Sequence, residues 1–379
     1  MKLPLITNVK NLKGKRVLLR LSLNVPVHNR GITNDFRIER SLPTLRFLQK
    51  AGAKTLVISH SDYDEPKKPA LLTVARHLNS FVPTGFLPLD GGLPARDFVQ
   101  NMKEGSVFVL DNIRNLKGEV ENTSSFAKEL ASYGDIFVNE DFAVSHRKHA
   151  SIVGIPKYIP SFFGSLFAEE VTQLSRAFKP KHPFVAVLGG AKFSTKVPLV
   201  KRFLQTADRV FVSGALANTF FHELGYETGK SLVDNDSINL KPFLKNKKIT
   251  LPSDVTVKGP KKTVVKSPVE VEKGENMLDV GPESVQEMSD AVSEAKLVVW
   301  NGPLGNFEKG FSKQTEKFAR AVAASDAHSI VGGGDTIAAI QKLGIMDQFD
   351  FVSTGGGAML EFLEQESLPG IEAILKSKK

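Results

Sequence analysis

The chain has 379 residues, more than a single hydrophobic core usually supports, so we expect two domains. It contains no cysteine, which excludes disulfides, thiol catalysis and cysteine-based metal sites. The net charge of +9 suits either nucleic acid or a phosphorylated small molecule as a partner. Because no apolar run reaches the roughly 18 residues of a membrane span, and residues 1–16 lack a secretory apolar stretch, we expect a cytoplasmic protein without a membrane partner.

The positive charge is dispersed along the chain. No tract of five consecutive Lys or Arg residues occurs, and neither zinc-finger spacing nor an aromatic-basic RNA motif is present. We therefore expect a small phosphorylated molecule as the partner and no nucleic acid.

Short apolar runs alternate with amphipathic stretches along the chain. Strands are predicted at 16–21, 55–59, 107–110, 136–139, 184–188, 210–213, 297–300, 329–331 and 351–353. Helices are predicted at 40–50, 124–132, 166–178, 282–294, 312–324 and 336–343. This alternation is typical of an α/β protein with doubly wound parallel, Rossmann-like sheets whose strands are buried on both faces.

A junction between two lobes is predicted near 161–180, because Pro and Gly residues interrupt the pattern at 154–165 and a helical pattern follows. The helix predicted next would join an N-terminal lobe, 1–165, to a C-terminal lobe, 166–365. Alternating Val, Thr and Lys residues at 251–272 predict a small β excursion within the second lobe.

Two strand-to-helix connections in the second half are rich in glycine, SIVGGGDTIAAIQKLG at 329–344 and VSTGGGAMLEFLE at 352–364. Glycine lets the backbone approach a ligand, and the following helix N-terminus attracts an anion. Asp335 would repel phosphate unless it held Mg²⁺. Alternatively, Asp335 is a helix N-cap and the glycines only form turns, but two such loops on consecutive strands favour a phosphate site.

A third glycine loop, VLGGAKFSTK, follows the strand predicted at 184–188. If a helix begins within it, Lys192 and Lys196 share one helical face and suit phosphate as point charges. The alternative is a pair of solvated surface lysines. The loop lacks the Walker A pattern, and the chain has no G-x-G-x-x-G motif, so a dinucleotide fold has no direct support.

The segment VVWNGPLGNFEKG at 298–310 contains the only tryptophan, Trp300. Its neighbours Asn301 and Glu308 are candidates for contacts with a ribose or a base. A turn beside a buried aromatic residue would have the same appearance.

Four basic residues of the first half, Arg37, His60, Arg114 and Arg147, each lie at or just after a predicted strand or turn. Each alone reads as a surface charge. If their loops converge, they form a clamp for an anion, since arginine geometry suits carboxylate and phosphate.

Seven blocks of sequence occur together in one order. They are GKRVLLRLSLNVP (14–26), ITNDFRIERSLPTL (32–45), HRKHASIVGIP (146–156), LGGAKFSTK (188–196), VVWNGPLGNFE (298–308), GGGDT (332–336) and STGGGAMLEFLE (353–364). In these blocks the chain resembles the phosphoglycerate kinase family over essentially its whole length.

The resemblance implies two α/β lobes joined by a helix, with a C-terminal tail, 366–379, packing on the first lobe. It implies a monomer that transfers a phosphoryl group between 1,3-bisphosphoglycerate and Mg-ADP, giving 3-phosphoglycerate and Mg-ATP. The acceptor in the reverse direction is an ionised carboxylate, so no general base is needed. Transfer would depend on in-line positioning after lobe closure and on charge stabilisation.

The resemblance also implies roles for individual residues. The phosphoglycerate would be bound by Ser22, Asn24, Arg37, His60, Arg114 and Arg147. The nucleotide would be bound by Gly190, Lys192, Lys196, Asn301, Glu308, Gly333, Gly334, Asp335 and Thr336, with Mg²⁺ on Asp335. The moving phosphoryl group would be stabilised by Arg37, Lys192 and the loop N–H groups of Gly334, Gly355 and Gly356.

Two positions of the first lobe depart from the family pattern. In the block Arg-x-Asp-x-Asn, Ser22 replaces the Asp that accepts a hydrogen bond from the substrate hydroxyl. In the block His-Leu-Gly-Arg-Pro, the chain reads His60-Ser61-Asp62-Tyr63, so Tyr63 replaces an arginine, and the loop gains three acidic residues. Lys67 or Lys68 is a candidate to supply the missing charge.

Three hypotheses follow. The first is an active phosphoglycerate kinase, because Arg37, Lys192 and Asp335 are retained. The second is a non-catalytic nucleotide-binding scaffold of the same fold, and the third is a kinase for a different small carboxylic acid. Both alternatives rest on Ser22 and Tyr63.

Overall fold

Two six-stranded sheets, each with all its strands parallel, form the framework of the protein. The computed structural model describes residues 3–28, 31–62, 70–89, 92–93, 96–190, 195–234 and 239–377. The chain divides into a first unit, Met1–Thr172 with Ser367–Lys379, and a second unit, Gln173–Glu366. No helix of the described ranges has the length and apolar character needed to cross a membrane.

The first unit contains one of these sheets. Its strands, with a separate antiparallel pair β2–β3, are β1 (Arg16–Arg20), β2 (Val27–His28), β3 (Gly31–Ile32), β4 (Lys54–Ile58), β5 (Thr84–Leu87), β6 (Val107–Leu110), β7 (Ile136–Asn139) and β8 (Ser161–Phe163). Its helices are α1 (Phe36–Lys50), α2 (Leu72–Leu78), α3 (Arg96–Gln100), α4 (Ser124–Ala131) and α5 (Ser165–Leu174), which extends past Thr172.

The sheet of the first unit has the order β5-β6-β4-β1-β7-β8. β1 lies between β4 and β7, and its residues Val17, Leu18 and Leu19 are buried. All six strands run in one direction, so the segments that follow β1, β4, β6 and β7 emerge at the same edge. This edge carries the basic residues predicted from the sequence.

The second unit contains the other large sheet, in the order β11-β10-β9-β15-β16-β17, and a small antiparallel sheet, β13-β12-β14. The strands are β9 (Phe184–Leu188), β10 (Arg209–Val212), β11 (Ile249–Thr250), β12 (Val255–Lys258), β13 (Thr263–Lys266), β14 (Asn276–Val280), β15 (Leu297–Asn301), β16 (His328–Gly332) and β17 (Phe351–Val352). The helices are α6 (Val197–Thr206), α7 (Gly214–Glu223), α8 (Lys241–Leu244), α9 (Pro282–Ser293), α10 (Lys313–Ala323), α11 (Gly334–Lys342) and α12 (Gly357–Gln365).

The predicted α/β fold with parallel sheets is confirmed, and the β excursion at 251–272 corresponds to strands β12 and β13. The helix predicted at 166–178 ends at Leu174 and continues as a 3₁₀ turn, Ser175–Ala177. The predicted junction contains a strand, β8, because its apolar residues pair with β7 despite the flanking Pro and Gly residues. The lobe boundaries and the roles assigned to the lobes stay predictions.

The C-terminal segment belongs to the first unit through helix α13 (Pro369–Leu375). The N–H of Gly370 donates to the carbonyl of Ser145 at 2.9 Å, and Ile371 and Ile374 are buried. A Cβ on Gly370 would lie 2.9 Å from the Ser145 side chain, so this approach requires glycine.

A core pair in the second unit provides a stability test. Trp300 and Phe318 are fully buried and pack edge to face with ring centroids 5.0 Å apart. Phe318→Ala is expected to lower the free energy of unfolding by about 3–5 kcal/mol through lost burial and a cavity, and Phe318→Leu by about 1 kcal/mol. Urea unfolding followed by the fluorescence of Trp300, the only tryptophan, measures both. Equal stability of the two variants would contradict this packing.

Candidate active site

A fully buried arginine organises the carboxyl edge of the sheet in the first unit. Arg20, the last residue of β1, is 1% exposed, and its Nη1 donates to the carbonyl of Leu21 at 2.8 Å. The same Nη1 lies 2.8 Å from Asp141 Oδ2, and Nε donates to Ser151 Oγ at 3.2 Å. Burial lowers the pKa of Arg20, and the charges of Asp141 and Glu119 oppose that shift. A buried guanidinium is tolerated only with such partners, so Arg20 binds these segments together.

His60 follows β4 and receives a hydrogen bond from the same arginine. Arg20 Nη2 lies 2.9 Å from His60 Nδ1. Arginine only donates, so Nδ1 accepts and the ring proton sits on Nε2. Burial, and then the charges of Arg20, Arg114, Arg37 and His149, lower the pKa of His60 to about 2. His60 is therefore a neutral N–H donor inside a positive cluster.

A second histidine, His149, lies within the electrostatic influence of the other basic residues of this cluster. Burial lowers the pKa of His149 to about 4, and the charges of Arg114, Arg20, Arg147 and His146 act in the same direction. Arg147 itself is exposed. The predicted residues Arg37, His60, Arg114 and Arg147 thus lie in one electrostatic environment.

Asn24 and Arg114 converge on the carboxylate of Asp62. Arg37, in the first turn of α1, donates to the carbonyl of Asn24 at 3.1 Å. Asn24 Nδ2 donates to Asp62 Oδ2 at 2.7 Å, and the N–H of Asp62 donates back to Asn24 Oδ1 at 3.0 Å. Arg114 Nη1 donates to Asp62 Oδ1, and His60 Nε2 lies 4.0 Å from Asp62 Oδ2. Arg114 and His60 therefore lie around one carboxylate, and Arg37 contacts the backbone of its partner Asn24, while the anion clamp itself stays a prediction.

The glycine loops of the second unit meet at the carboxyl ends of β9, β15 and β16. The N–H of Gly189 donates to the carbonyl of Asn301 at 2.9 Å, and the N–H of Gly302 donates to Thr336 Oγ1 at 3.0 Å. A Cβ on Gly189 would lie 2.1 Å from the carbonyl oxygen of Pro303, so only glycine permits this contact.

Both predicted phosphate loops lead into helix N-termini. Helix α11 begins at Gly334 after Gly333, whose φ is 99°, and α12 begins at Gly357 after Gly356, whose φ is 51°. The N-cap of α11 is Gly333, so the alternative that Asp335 is the N-cap is wrong, because the helix starts two residues before the predicted 336. Asp335 lies exposed in the first turn.

Lys196 is buried beside these loops. Its Nζ donates to the carbonyl of Gly189 and, at 3.3 Å, to that of Asn301. Burial lowers the pKa of Lys196 to about 8, and the charge of Asp335 opposes that shift. Helix α6 begins at Val197, after this loop, so the condition for a helical face shared by Lys192 and Lys196 is not met at Lys196, and the alternative of a solvated surface lysine is wrong for this buried residue. Lys192 lies outside the described residues.

A cavity of about 780 Å³ opens in the second unit, with Gly190, Glu308 and Asp335 among its lining residues. This volume is in the range of small-molecule sites. The lining also includes Asn218 of α7 and Leu278 of β14, which the sequence did not single out. Gly214, which begins α7 with a φ of 60° and also lines the cavity, is the local signal that could have identified α7, whereas the antiparallel pairing that carries β14 is visible only in three dimensions.

Two residues that were predicted to bind the nucleotide, Asn301 and Thr336, mainly contact other parts of the protein. Asn301 is 4% exposed, and its Nδ2 lies 3.7 Å from Met359 Sδ. Thr336 is fully buried and accepts the hydrogen bond from Gly302. Their contribution to nucleotide binding stays a prediction.

Asp279, Glu308 and Asp335 all line this cavity with carboxylates, and Asp335 is the one predicted to hold a cation. Within the described part of the chain, no group of three His, Asp or Glu side chains could hold a metal ion. Mg²⁺ does not need such a group, because it uses one or two protein carboxylates together with phosphate oxygens and waters. An exposed aspartate on the cavity wall at a helix N-terminus fits this donor set.

Comparisons with known proteins agree on one family. The family model for phosphoglycerate kinase matches residues 6–366. The chain is 40% identical to the phosphoglycerate kinase of Dictyoglomus turgidum and 41% identical to that of Thermosipho africanus, in each case over 97% of both chains. The chain belongs to the phosphoglycerate kinase family.

Solved structures of the family have the same fold. The phosphoglycerate kinase of Coxiella burnetii matches with a TM-score of 0.84 and 39% identity over 100% of both chains. That of Pyrococcus horikoshii OT3 matches with a TM-score of 0.85 and 30% identity over 98% of both chains. The predicted resemblance is confirmed.

The departures from the phosphoglycerate kinase pattern lie in the first unit. Ser22 is 2% exposed, and its Oγ has no hydrogen-bond partner among the described residues. Tyr63, Lys67 and Lys68 lie outside the described residues, so a replacement charge from either lysine stays a prediction.

The sequence did not single out Arg20 and His149, although both lie in quoted family blocks. Arg20 ends an apolar run, and His149 follows the more prominent Arg147. A charged residue at the end of a buried parallel strand is the signal that would have identified Arg20.

The depressed pKa of His60 predicts acid sensitivity. His60 prefers to be neutral in the folded protein and ionises near 6.5 when unfolded, so its stabilising effect is lost as the pH falls below 6.5. Between pH 6.5 and pH 5 the loss is about 2 kcal/mol, at about 1.36 kcal/mol per pH unit. In His60→Asn the amide oxygen can still accept from Arg20 but does not titrate, so this variant should lose about 2 kcal/mol less than wild type between pH 7 and pH 5.

Urea unfolding at both pH values measures the difference. His28→Asn, which replaces an exposed histidine of the same unit, is the matched control and should behave like wild type. The same pH dependence in wild type and His60→Asn would show that His60 is not held neutral.

Proposed function

We propose that the protein catalyses reversible phosphoryl transfer between 1,3-bisphosphoglycerate with Mg-ADP and 3-phosphoglycerate with Mg-ATP. The observation that carries the proposal is the family match over residues 6–366. The arrangement of charges in each unit supports it, since one unit gathers side-chain cations and the other gathers helix N-termini beside a cavity.

The basic cluster of the first unit would bind the acid substrate. Arg37, Arg114 and Arg147 offer guanidinium donors, which match carboxylate and phosphate oxygens. His60 adds a neutral N–H at Nε2, and Asn24 adds an amide. A neutral donor suits this place because it bonds an anion at neutral pH without adding another charge to the crowded cluster.

The second unit would bind the nucleotide. The N–H groups at the starts of α11 and α12 suit phosphate oxygens, and Lys196 adds a positive charge below pH 8. Asp335 would hold Mg²⁺, which when bound neutralises charge on the phosphate oxygens. Gly190 and Glu308 line the cavity in which the rest of the nucleotide would fit.

The reaction depends on alignment of the two substrates and on stabilisation of the charge of the moving phosphoryl group, more than on proton transfer. The carboxylate acceptor is ionised at neutral pH, so the chain needs to supply alignment and stabilisation of the moving phosphoryl group. We assign that stabilisation to Arg37 and to the loop N–H groups of Gly334 and Gly356, together with Lys192. Lobe closure, a monomeric state and a cytoplasmic location stay predictions.

The two alternative functions rest on Ser22 and Tyr63 alone. Relatives of matching length are named phosphoglycerate kinase at about 40% identity, which favours the active enzyme over a scaffold and over a kinase for another acid. No observation in the described residues favours either alternative.

A coupled assay with 3-phosphoglycerate and Mg-ATP tests the proposal, with saturable turnover expected. Arg37→Lys should lower kcat/KM about 10- to 100-fold, because lysine keeps the charge but loses the planar fork of donors. Arg46→Lys replaces an exposed arginine on the same helix and should leave kcat/KM unchanged. Absence of turnover at millimolar substrate, from protein shown to be folded by circular dichroism, would refute the proposal.

A further inference from the structure

An aspartate of this chain already engages the donors of the acid-binding cluster. The carboxylate of Asp62 accepts from Asn24 Nδ2 at 2.7 Å through Oδ2 and from Arg114 Nη1 through Oδ1. His60 Nε2, which carries the ring proton, lies 4.0 Å from Oδ2. Three of the residues assigned to phosphoglycerate binding therefore face one carboxylate that belongs to the chain itself.

Asp62 differs from the other carboxylates near the cluster in its exposure. Asp141 and Glu119 are fully buried, where Asp141 pairs with Arg20 and Glu119 accepts from the N–H and hydroxyl of Ser151. The side chain of Asp62 is 59% exposed. It can turn into solvent without leaving a buried charge, so it is the carboxylate that an incoming anion can displace.

The sequence places this carboxylate in the loop that departs from the family pattern. In the block His-Leu-Gly-Arg-Pro, Asp62 stands at the glycine, next to the position where Tyr63 replaces the arginine. The family pattern therefore has no side chain at position 62 that could engage Asn24 and Arg114.

We propose that Asp62 is an internal competitor of the acid substrate and sets its affinity. Its carboxylate occupies the donors of Asn24 and Arg114 in the free protein, and a substrate anion binds by displacing it. The inference rests on the proposed function, because it takes phosphoglycerate as the anion. Its direct consequence is that removing the carboxylate strengthens substrate binding.

The Asp62 carboxylate should also make the affinity for the substrate depend on the charge of the anion and on the salt concentration. Once displaced, the carboxylate stays near the site and repels the bound anion, and a more highly charged anion is repelled more. Salt screens this repulsion because Asp62 is largely exposed. An aspartate that only ordered the loop through Asn24 would show neither dependence, and its removal would weaken binding.

Steady-state kinetics of Asp62→Asn and Asp62→Ala test the proposal. At low ionic strength the KM for 3-phosphoglycerate should fall about three- to tenfold in both variants, and the KM for Mg-ATP should not change. The gain should shrink to less than about twofold in 0.5 M salt. Asp97→Asn, which removes an exposed carboxylate from α3 of the same unit, should have the KM of wild type.

Calorimetric titration with 3-phosphoglycerate separates this inference from the proposed function. Tighter binding by Asp62→Asn and Asp62→Ala than by wild type supports the competitor, even if none of the proteins turns over. Turnover with an unchanged or higher KM and Kd in both variants overturns the competitor and leaves the proposed function standing. Failure of all the folded proteins to bind 3-phosphoglycerate also overturns it.

Discussion

The burial of one positive charge, on Arg20, holds together the carboxyl edge of the sheet in the first unit. A guanidinium removed from water is stable only when its donors are bonded and its charge is opposed. The partners that meet this demand come from several segments: Asp141 follows β7, His60 follows β4, and Ser151 follows the HRKH segment. Segments distant in the chain are thus held together at one sheet edge. The exposed donors of the cluster lie on that framework.

The second unit gathers helix N-termini at its glycine loops in place of side-chain cations. The loops after β9 and β15 approach each other through glycine, at Gly189 against Pro303, and helices α11 and α12 begin at the glycine loops after β16 and β17. The charge available to a phosphate is then mostly backbone dipole, with Lys196 and Asp335 added beside it. The first unit relies on side-chain cations, which single substitutions alter easily. The departures at Ser22, Asp62 and Tyr63 all fall in that unit.

Much of this arrangement follows from the sequence alone. Strands such as β6, β7 and β9 are continuous apolar runs bounded by polar turns, so their positions were predicted to the residue. Glycine loops between a strand and a helix are equally local signals. The basic residues were identified one at a time, and the parallel order of the strands explains why they converge.

The remaining features depend on contacts between distant residues. Arg20 ends an apolar run, but its partners Asp141, His60 and Ser151 lie 121, 40 and 131 positions away in the chain, so the sequence does not show that they meet. The pairing of Asp62 with Arg114 joins residues 52 positions apart, so the acidic loop appeared only as a loss of the family pattern. The burial of Lys196 likewise involves a distant residue, because its Nζ donates to the carbonyl of Asn301, 105 positions away. Such features require the assembled sheet.

The protonation state of His60 tests the central claim most directly, because Arg20 can donate to Nδ1 only if that nitrogen is bare. Nitrogen-15 chemical shifts of the histidine side chains, with His60 assigned by its loss in His60→Asn, give the proton position. The account predicts a neutral ring with its proton on Nε2 and no titration from pH 8 to pH 5. A proton on Nδ1, or a titration midpoint near 6.5, would contradict the claim that buried Arg20 organises this cluster.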